Sequence, residues 1–91
     1  FTANVKIKKA AASGKSVKLS WKRNKKATGY VIYRSTKKNS GYKRIKKINN
    51  NKTVSYQDKK IRKKGNYYYK IVTVKKGNAS AMSTAKKVKV K

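Results

Sequence analysis

Gly65-Asn66-Tyr67-Tyr68-Tyr69-Lys70-Ile71-Val72-Thr73 is the densest aromatic and β-branched run in the chain. Such residues favour a pleated, half-buried surface. Read at period two, Tyr67, Tyr69, Ile71 and Thr73 share one face, and Tyr68, Lys70, Val72 and Val74 share the other. The second set carries a lysine, so the first set is assigned to the core. A strand this apolar on both faces is expected at the centre of its sheet, with neighbouring strands covering it.

Those neighbours read off the same alternation. Asn4 to Ala10 suits a short strand with Val5 and Ile7 inward, and Ala11-Ala12-Ser13-Gly14-Lys15 suits the turn after it. Ser16 to Lys22 alternates more cleanly, with Val17, Leu19 and Trp21 on one face and Lys18, Ser20 and Lys22 on the other. Past the basic loop Arg23-Asn24-Lys25-Lys26, the run Tyr30-Val31-Ile32-Tyr33-Arg34 places Tyr30 and Ile32 inward. Tyr42 to Ile48 carries Tyr42, Ile45 and Ile48 at a spacing that suits a helix or a bulged strand. Its shortness and flanking turn residues favour the strand. Thr53 to Gln57 reads as a short strand with Val54 and Tyr56 inward, and Asp58 to Lys64 as a connection anchored by Ile61. Lys75-Lys76-Gly77-Asn78 turns the chain, and Ser80 to Val90 closes it with Val88 and Val90 inward. Seven short strands between Gly, Asn and Ser turns imply an all-β, antiparallel sandwich.

At this point the chain resembles a fibronectin type III domain over nearly its whole length. The residues that carry the resemblance are Val17-Lys18-Leu19-Ser20-Trp21, Ala27-Thr28-Gly29-Tyr30-Val31-Ile32-Tyr33-Arg34, and Ile61 followed by Gly65 to Ile71. Ser80-Ala81-Met82-Ser83 opens the last strand as in many members. The variant looks most like those of surface and secreted proteins of Gram-positive bacteria, which implies an extracellular or cell-surface location. It also implies a core tryptophan, here Trp21, and a tyrosine corner, here Tyr67. The chain departs from the family in lacking an early proline and in having almost no acids.

Residues 1–91 suffice for one domain. Because the chain starts at Phe1, it reads as a domain cut from a longer protein. It has no Cys and no His, and Asp58 is its one acidic side chain. That excludes disulfides, a nucleophile–base dyad, a carboxylate pair and a metal cluster. An enzyme is therefore not expected, nor is a cofactor, and no apolar run is long enough to span a membrane.

What remains is charge. The net charge is +28, from 25 Lys and 4 Arg against one acid. Lysine acts as a point charge, whereas arginine reads phosphates and bases bidentately, so the balance implies diffuse attraction to polyanions. The candidate cations lie largely in loops: Lys25 and Lys26, Lys37 and Lys38, Lys59 and Lys60, Lys63 and Lys64, Lys75 and Lys76. Others lie on strands: Arg44, Lys46, Lys47, Lys70, Lys87 and Lys89. Val31, Tyr33, Tyr68 and Val72 are expected on the outer face of one sheet. Two readings fit them, cross-strand pairs covered by lysine stems and a platform with Tyr33 and Tyr68 stacking on bases or sugars.

The core is expected to hold Val17, Leu19, Trp21, Tyr30, Ile32, Tyr56, Ile61, Tyr67, Tyr69, Ile71, Val88 and Val90. The function expected is a non-enzymatic, monomeric module that binds nucleic acid, anionic glycans or wall polymers, its folding aided by salt or polyanion. The alternatives are a structural spacer of a surface protein and an engineered supercharged scaffold.

Overall fold

The computed structural model describes residues 6–76, 78, 79, 83 and 85–91. The run from Gly65 to Thr73 lies in the longest strand, β6 (Gly65–Lys75), which is central. The other strands are β1 (Ile7–Ser13), β2 (Ser16–Trp21), β3 (Gly29–Ser35), β4 (Lys43–Ile48), β5 (Ser55–Asp58), β7 (Asn78–Ala79) and β8 (Lys86–Val90). They form two antiparallel sheets, one in the order β1-β2-β5 and one in the order β4-β3-β6, with β7 and β8 both paired to the far edge of β6. Between β7 and β8, the Ser83 amide donates to the Ile71 carbonyl at 3.0 Å. β7 and β8 thus share one edge position, and the described residues fill seven strand positions.

The inner faces of both sheets meet in one core. Val17, Leu19, Tyr30, Ile32, Tyr69 and Ile71 are fully buried, with Trp21, Ile61, Tyr67, Val88 and Val90 nearly so. Ile7 joins them, and Tyr56 and Ile45 pack against the cluster while partly exposed. The Trp21 and Tyr30 rings meet edge to face at 5.5 Å, the arrangement their quadrupoles favour. The Tyr67 hydroxyl donates to the Lys63 carbonyl at 2.6 Å, closing the tyrosine corner that ties the β5–β6 loop to β6.

Several boundaries differ from the expectation. β1 runs on to Ser13, so the turn is only Gly14-Lys15, with Gly14 at φ 58°. Gly tolerates that left-handed backbone without a Cβ penalty. β5 starts at Ser55, later than expected, and includes Asp58. Val54 is therefore outside the strand at the sheet edge and 38% exposed rather than inward. Tyr42 precedes β4 rather than opening it. Between Arg44 and Lys46, β4 spans a single step of β3, leaving Ile45 as the extra residue of a bulge. Val5, Gly77 and the opening Ser80-Ala81-Met82 of the last strand lie outside the described residues.

Gly29 is required by packing rather than by φ. It heads β3 where β4 crosses closely, and a Cβ there would collide with the Ile48 carbonyl oxygen.

Candidate polyanion-binding surface

Period-two alternation sends three polar side chains inward at one end of the sandwich. Arg34 follows Tyr30 and Ile32 on β3, Asp58 follows Tyr56 on β5, and Tyr69 lies between Tyr67 and Ile71 on β6. They converge. Arg34 Nη1 lies 2.6 Å from Asp58 Oδ2, and the Tyr69 hydroxyl donates to the same oxygen at 2.7 Å. The Lys60 backbone amide donates to Asp58 Oδ1 at 3.1 Å. Asp58 is fully buried.

Burial alone pushes the Asp58 carboxyl up, but hydrogen bonds from Arg34, Tyr69 and the Lys60 amide outweigh it and hold the group below its ordinary value. Burial, then the carboxylate itself, push the Tyr69 phenol far above its ordinary range, so it stays a donor. The sequence alone places Asp58 in a connection and gives Arg34 no site role. The signal was available: Asp58 follows the core residue Tyr56 by two and so shares its face, and a lone acid on the inner face needs a cation there.

The consequence concerns the outside of the molecule. Asp58 is the only acidic side chain in the sequence, and it is consumed internally. No acidic side chain faces solvent, and every ionic side chain at the surface is positive. Spread over 6219 Å² of accessible surface, the cations sit about 15 Å apart, little beyond the Debye length of about 8–10 Å at physiological salt. Each neighbouring pair therefore repels by less than ~0.1 kcal/mol, but the sum over many pairs reaches several.

The fold sorts these cations into three regions. Lys25 and Lys26 of the β2–β3 loop lie at one end with Lys75 and Lys76. Asn51 ties that loop down through the Lys25 and Ala27 carbonyls, and the Lys76 amide donates to Thr28 Oγ1. The other end carries Lys37 and Lys38 of the β3–β4 loop and Lys59, Lys60, Lys63 and Lys64 of the β5–β6 loop. The third region is the outer face of the larger sheet, where Arg44, Lys47, Lys70, Lys87 and Lys89 point outward from β4, β6 and β8. Lys46 is exposed but its cross-strand partner is the core residue Ile32, so it belongs to the sheet edge. All of these are exposed except Lys70, which is half-buried.

That outer face is not only charged. Cross-strand register sets Tyr33 between Arg44 on β4 and Lys70 on β6, and Tyr68 between Ser35 on β3 and Lys87 on β8. Val31 pairs with Val72 beside them, and both are buried although they point outward. Lys70 Nζ sits 4.6 Å from the centre of the Tyr42 ring, a cation–π contact. The Tyr42 hydroxyl donates to the Lys38 carbonyl at 2.6 Å, which fixes that ring. Burial, with Tyr68 close by, holds the Tyr42 phenol above its ordinary range. The sequence pattern missed Tyr42 because Gly41 turns the backbone at φ 74° and the bulge breaks the alternation.

On the opposite sheet a groove of about 500 Å³ is lined by Lys8, Lys9, Lys18, Trp21 and Val54 among others. Trp21 Nε1 is buried without a hydrogen-bond partner among the described residues.

No family model matches the chain, and no curated protein sequence matches it. Solved structures do. An Fn3-like protein from Clostridium thermocellum superposes with a TM-score of 0.84 at 23% identity, covering 99% of this chain and 94% of that one. A fibronectin type III domain from human KIAA0970 protein gives 0.78 at 16% identity, over 96% of this chain and 72% of that one. Pectate lyase PelI from Erwinia chrysanthemi, solved with tetragalacturonic acid, gives 0.79 at 20% identity, over 94% of this chain but 28% of that one. The fold is the fibronectin type III sandwich.

Proposed function

We propose that this domain is a non-enzymatic, monomeric module that binds extended polyanions by distributed electrostatic attraction. The observation that carries the reading is the fate of Asp58. With the single carboxylate buried against Arg34 and Tyr69, a polymer meets attraction on every side and repulsion on none. Lysine predominance suits a surface that neutralises phosphates or carboxylates one by one without reading a sequence. Two copies of so positive a chain repel one another, which supports the monomer. The resemblance to surface-protein domains supports an extracellular or cell-surface setting, where anionic glycans and wall polymers, or released nucleic acid, are the available partners.

The test is a binding panel at fixed, moderate salt: polyphosphate, single-stranded and duplex nucleic acid, polygalacturonate, and neutral dextran of matched length. The charged polymers bind and dextran does not. Failure of every charged polymer to bind overturns the proposal.

One observation favours a second reading. The chain matches about a quarter of pectate lyase PelI and 30% of a CNTN1 fragment spanning three such domains. The same sandwich is thus built into longer chains, which suits a spacer whose charge adapts it to an anionic environment. A spacer keeps its host protein's activity when its lysines are exchanged for glutamines; a binding module does not.

A further inference from the structure

The geometry points to the outer face of the larger sheet as a stacking platform for single-stranded nucleic acid, centred on Tyr33 and Tyr68. This rests on the polyanion-binding reading and names the ligand of that face.

Three features set this face apart from the rest of the cationic surface. The first is the interleaving of rings and cations. Tyr33 lies between Arg44 and Lys70, and Tyr68 has Lys87 on one side. Along a strand, successive outward side chains are about 6.8 Å apart, so rings and charges alternate within reach of adjacent nucleotides. The second is fixation. Lys70 is held over the Tyr42 ring at 4.6 Å, and that ring is anchored to the Lys38 carbonyl. A cation already ordered loses less freedom on meeting a phosphate than a loop lysine does. The third is that the Tyr33 and Tyr68 hydroxyls make no hydrogen bond among the described residues, and both side chains remain partly exposed. In register, Tyr33 stands one row beyond the buried Val31–Val72 pair and Tyr68 one row further on the neighbouring strand, so the two rings lie diagonal to each other across β3 and β6.

The chemistry of the face selects among polyanions. A polysaccharide presents hydroxyl donors, and no carboxylate side chain stands on this face to accept from them, Asp58 being buried in the core. A duplex keeps its base faces stacked inside. A single strand offers both what the cations bind and what the rings bind: phosphates, and unstacked bases that pair with aromatic faces regardless of sequence.

The experiment compares the wild type with Tyr33→Leu/Tyr68→Leu, which leaves every charge in place. Probes are oligo(dT), a duplex of equal length, polyphosphate and polygalacturonate, at several salt concentrations. The double variant should bind oligo(dT) at least about fivefold more weakly, the factor for one lost stacking contact at the low end of its range. Its affinity for polyphosphate and duplex, and the salt slope for every probe, should not change. A second measurement avoids dependence on the variant's folding. In the wild-type protein, oligo(dT) should shift the Tyr33 and Tyr68 ring proton resonances upfield, and polyphosphate should not. If the variant binds oligo(dT) normally, or the rings do not respond, the platform is refuted while polyphosphate binding keeps the general reading intact. If polygalacturonate loses as much affinity as oligo(dT), the platform stacks sugars and the assignment to nucleic acid is wrong. If no polyanion binds the wild type, the general reading itself has failed.

Discussion

Replacing Asp58 with Asn isolates the one interior charge, because shape is nearly conserved. Wild-type Asp58 accepts from Arg34 and Tyr69 on one oxygen and from the Lys60 amide on the other. An asparagine has a single acceptor oxygen. Turned toward Arg34 and Tyr69, it sets its own amide against the Lys60 N–H; turned the other way, it faces two donors with a donor. Breaking a buried ion pair costs about 3–5 kcal/mol. The Arg34 side chain is 25% exposed and reaches water when it loses its partner, so the low end applies, about 3 kcal/mol. A chain of this length has roughly 5–14 kcal/mol in total, so the loss is large. It corresponds to a melting temperature lower by about 12–24 °C. The assay is thermal melting by circular dichroism at fixed salt, repeated from pH 2 to pH 7. The sign of the pH effect follows from a folded-state value below the unfolded one. Asp58 stabilises fully above about pH 4, where the unfolded group ionises, and that contribution disappears as pH falls through the lower folded value. The wild type should therefore lose stability in acid, and Asp58→Asn should lose much less. An Asp58→Asn protein that melts like the wild type at pH 7, or that keeps the whole acid loss, would refute the role given to the Arg34–Asp58–Tyr69 cluster.

Other perturbations test the rest of the account. Trp21→Ala removes a 97% buried ring that packs on Tyr30 and should cost about 3–5 kcal/mol; near-normal melting would take Trp21 out of the core. Gly29→Ala drives a Cβ onto the Ile48 carbonyl and should cost about 1–3 kcal/mol as β4 is pushed away, read by urea denaturation; an unchanged midpoint would mean that β4 yields freely there. Salt should raise the melting temperature by screening repulsion that compaction increases. Polyphosphate at a hundredfold excess over its dissociation constant should add about 2.7 kcal/mol if it binds only the folded chain. Melting unaffected by both would show that the core alone sets stability.

Most of the sandwich was legible because β2 alternates without ambiguity, and because in β6, apolar on both faces, Lys70 still marks the outward one. Val17, Leu19 and Trp21 could face only one way when lysine and serine took the other. Two features were hidden for different physical reasons. Asp58 sits before Lys59-Lys60, so local composition reads as a loop, and its burial depends on Arg34 and Tyr69, far along the chain. Tyr42 was hidden by a positive-φ glycine and a bulge, which together break the period on which face assignment rests. The candidate cations were visible as a composition. Their division into two ends and one face was not, because it depends on which loops the fold brings to the same end. Tyr33 and Tyr68 were legible as outward residues, but their separate cation neighbours follow only from the cross-strand register.

The central claim is that charge spread over the surface carries binding, and the salt dependence of affinity tests it most directly. Affinity for a long single-stranded polyanion is measured by titration from dilute buffer to physiological salt. Each phosphate neutralised contributes a log–log slope of about −0.7 on a single strand. If the outer face alone engages Arg44, Lys47, Lys70, Lys87 and Lys89, the slope should be about −3.5, and steeper if the loops at either end also take part. The same slope should hold for strands of different sequence. A slope near zero, or one that varies with sequence while affinity stays high, would contradict the account and place binding in specific contacts rather than in counterion release.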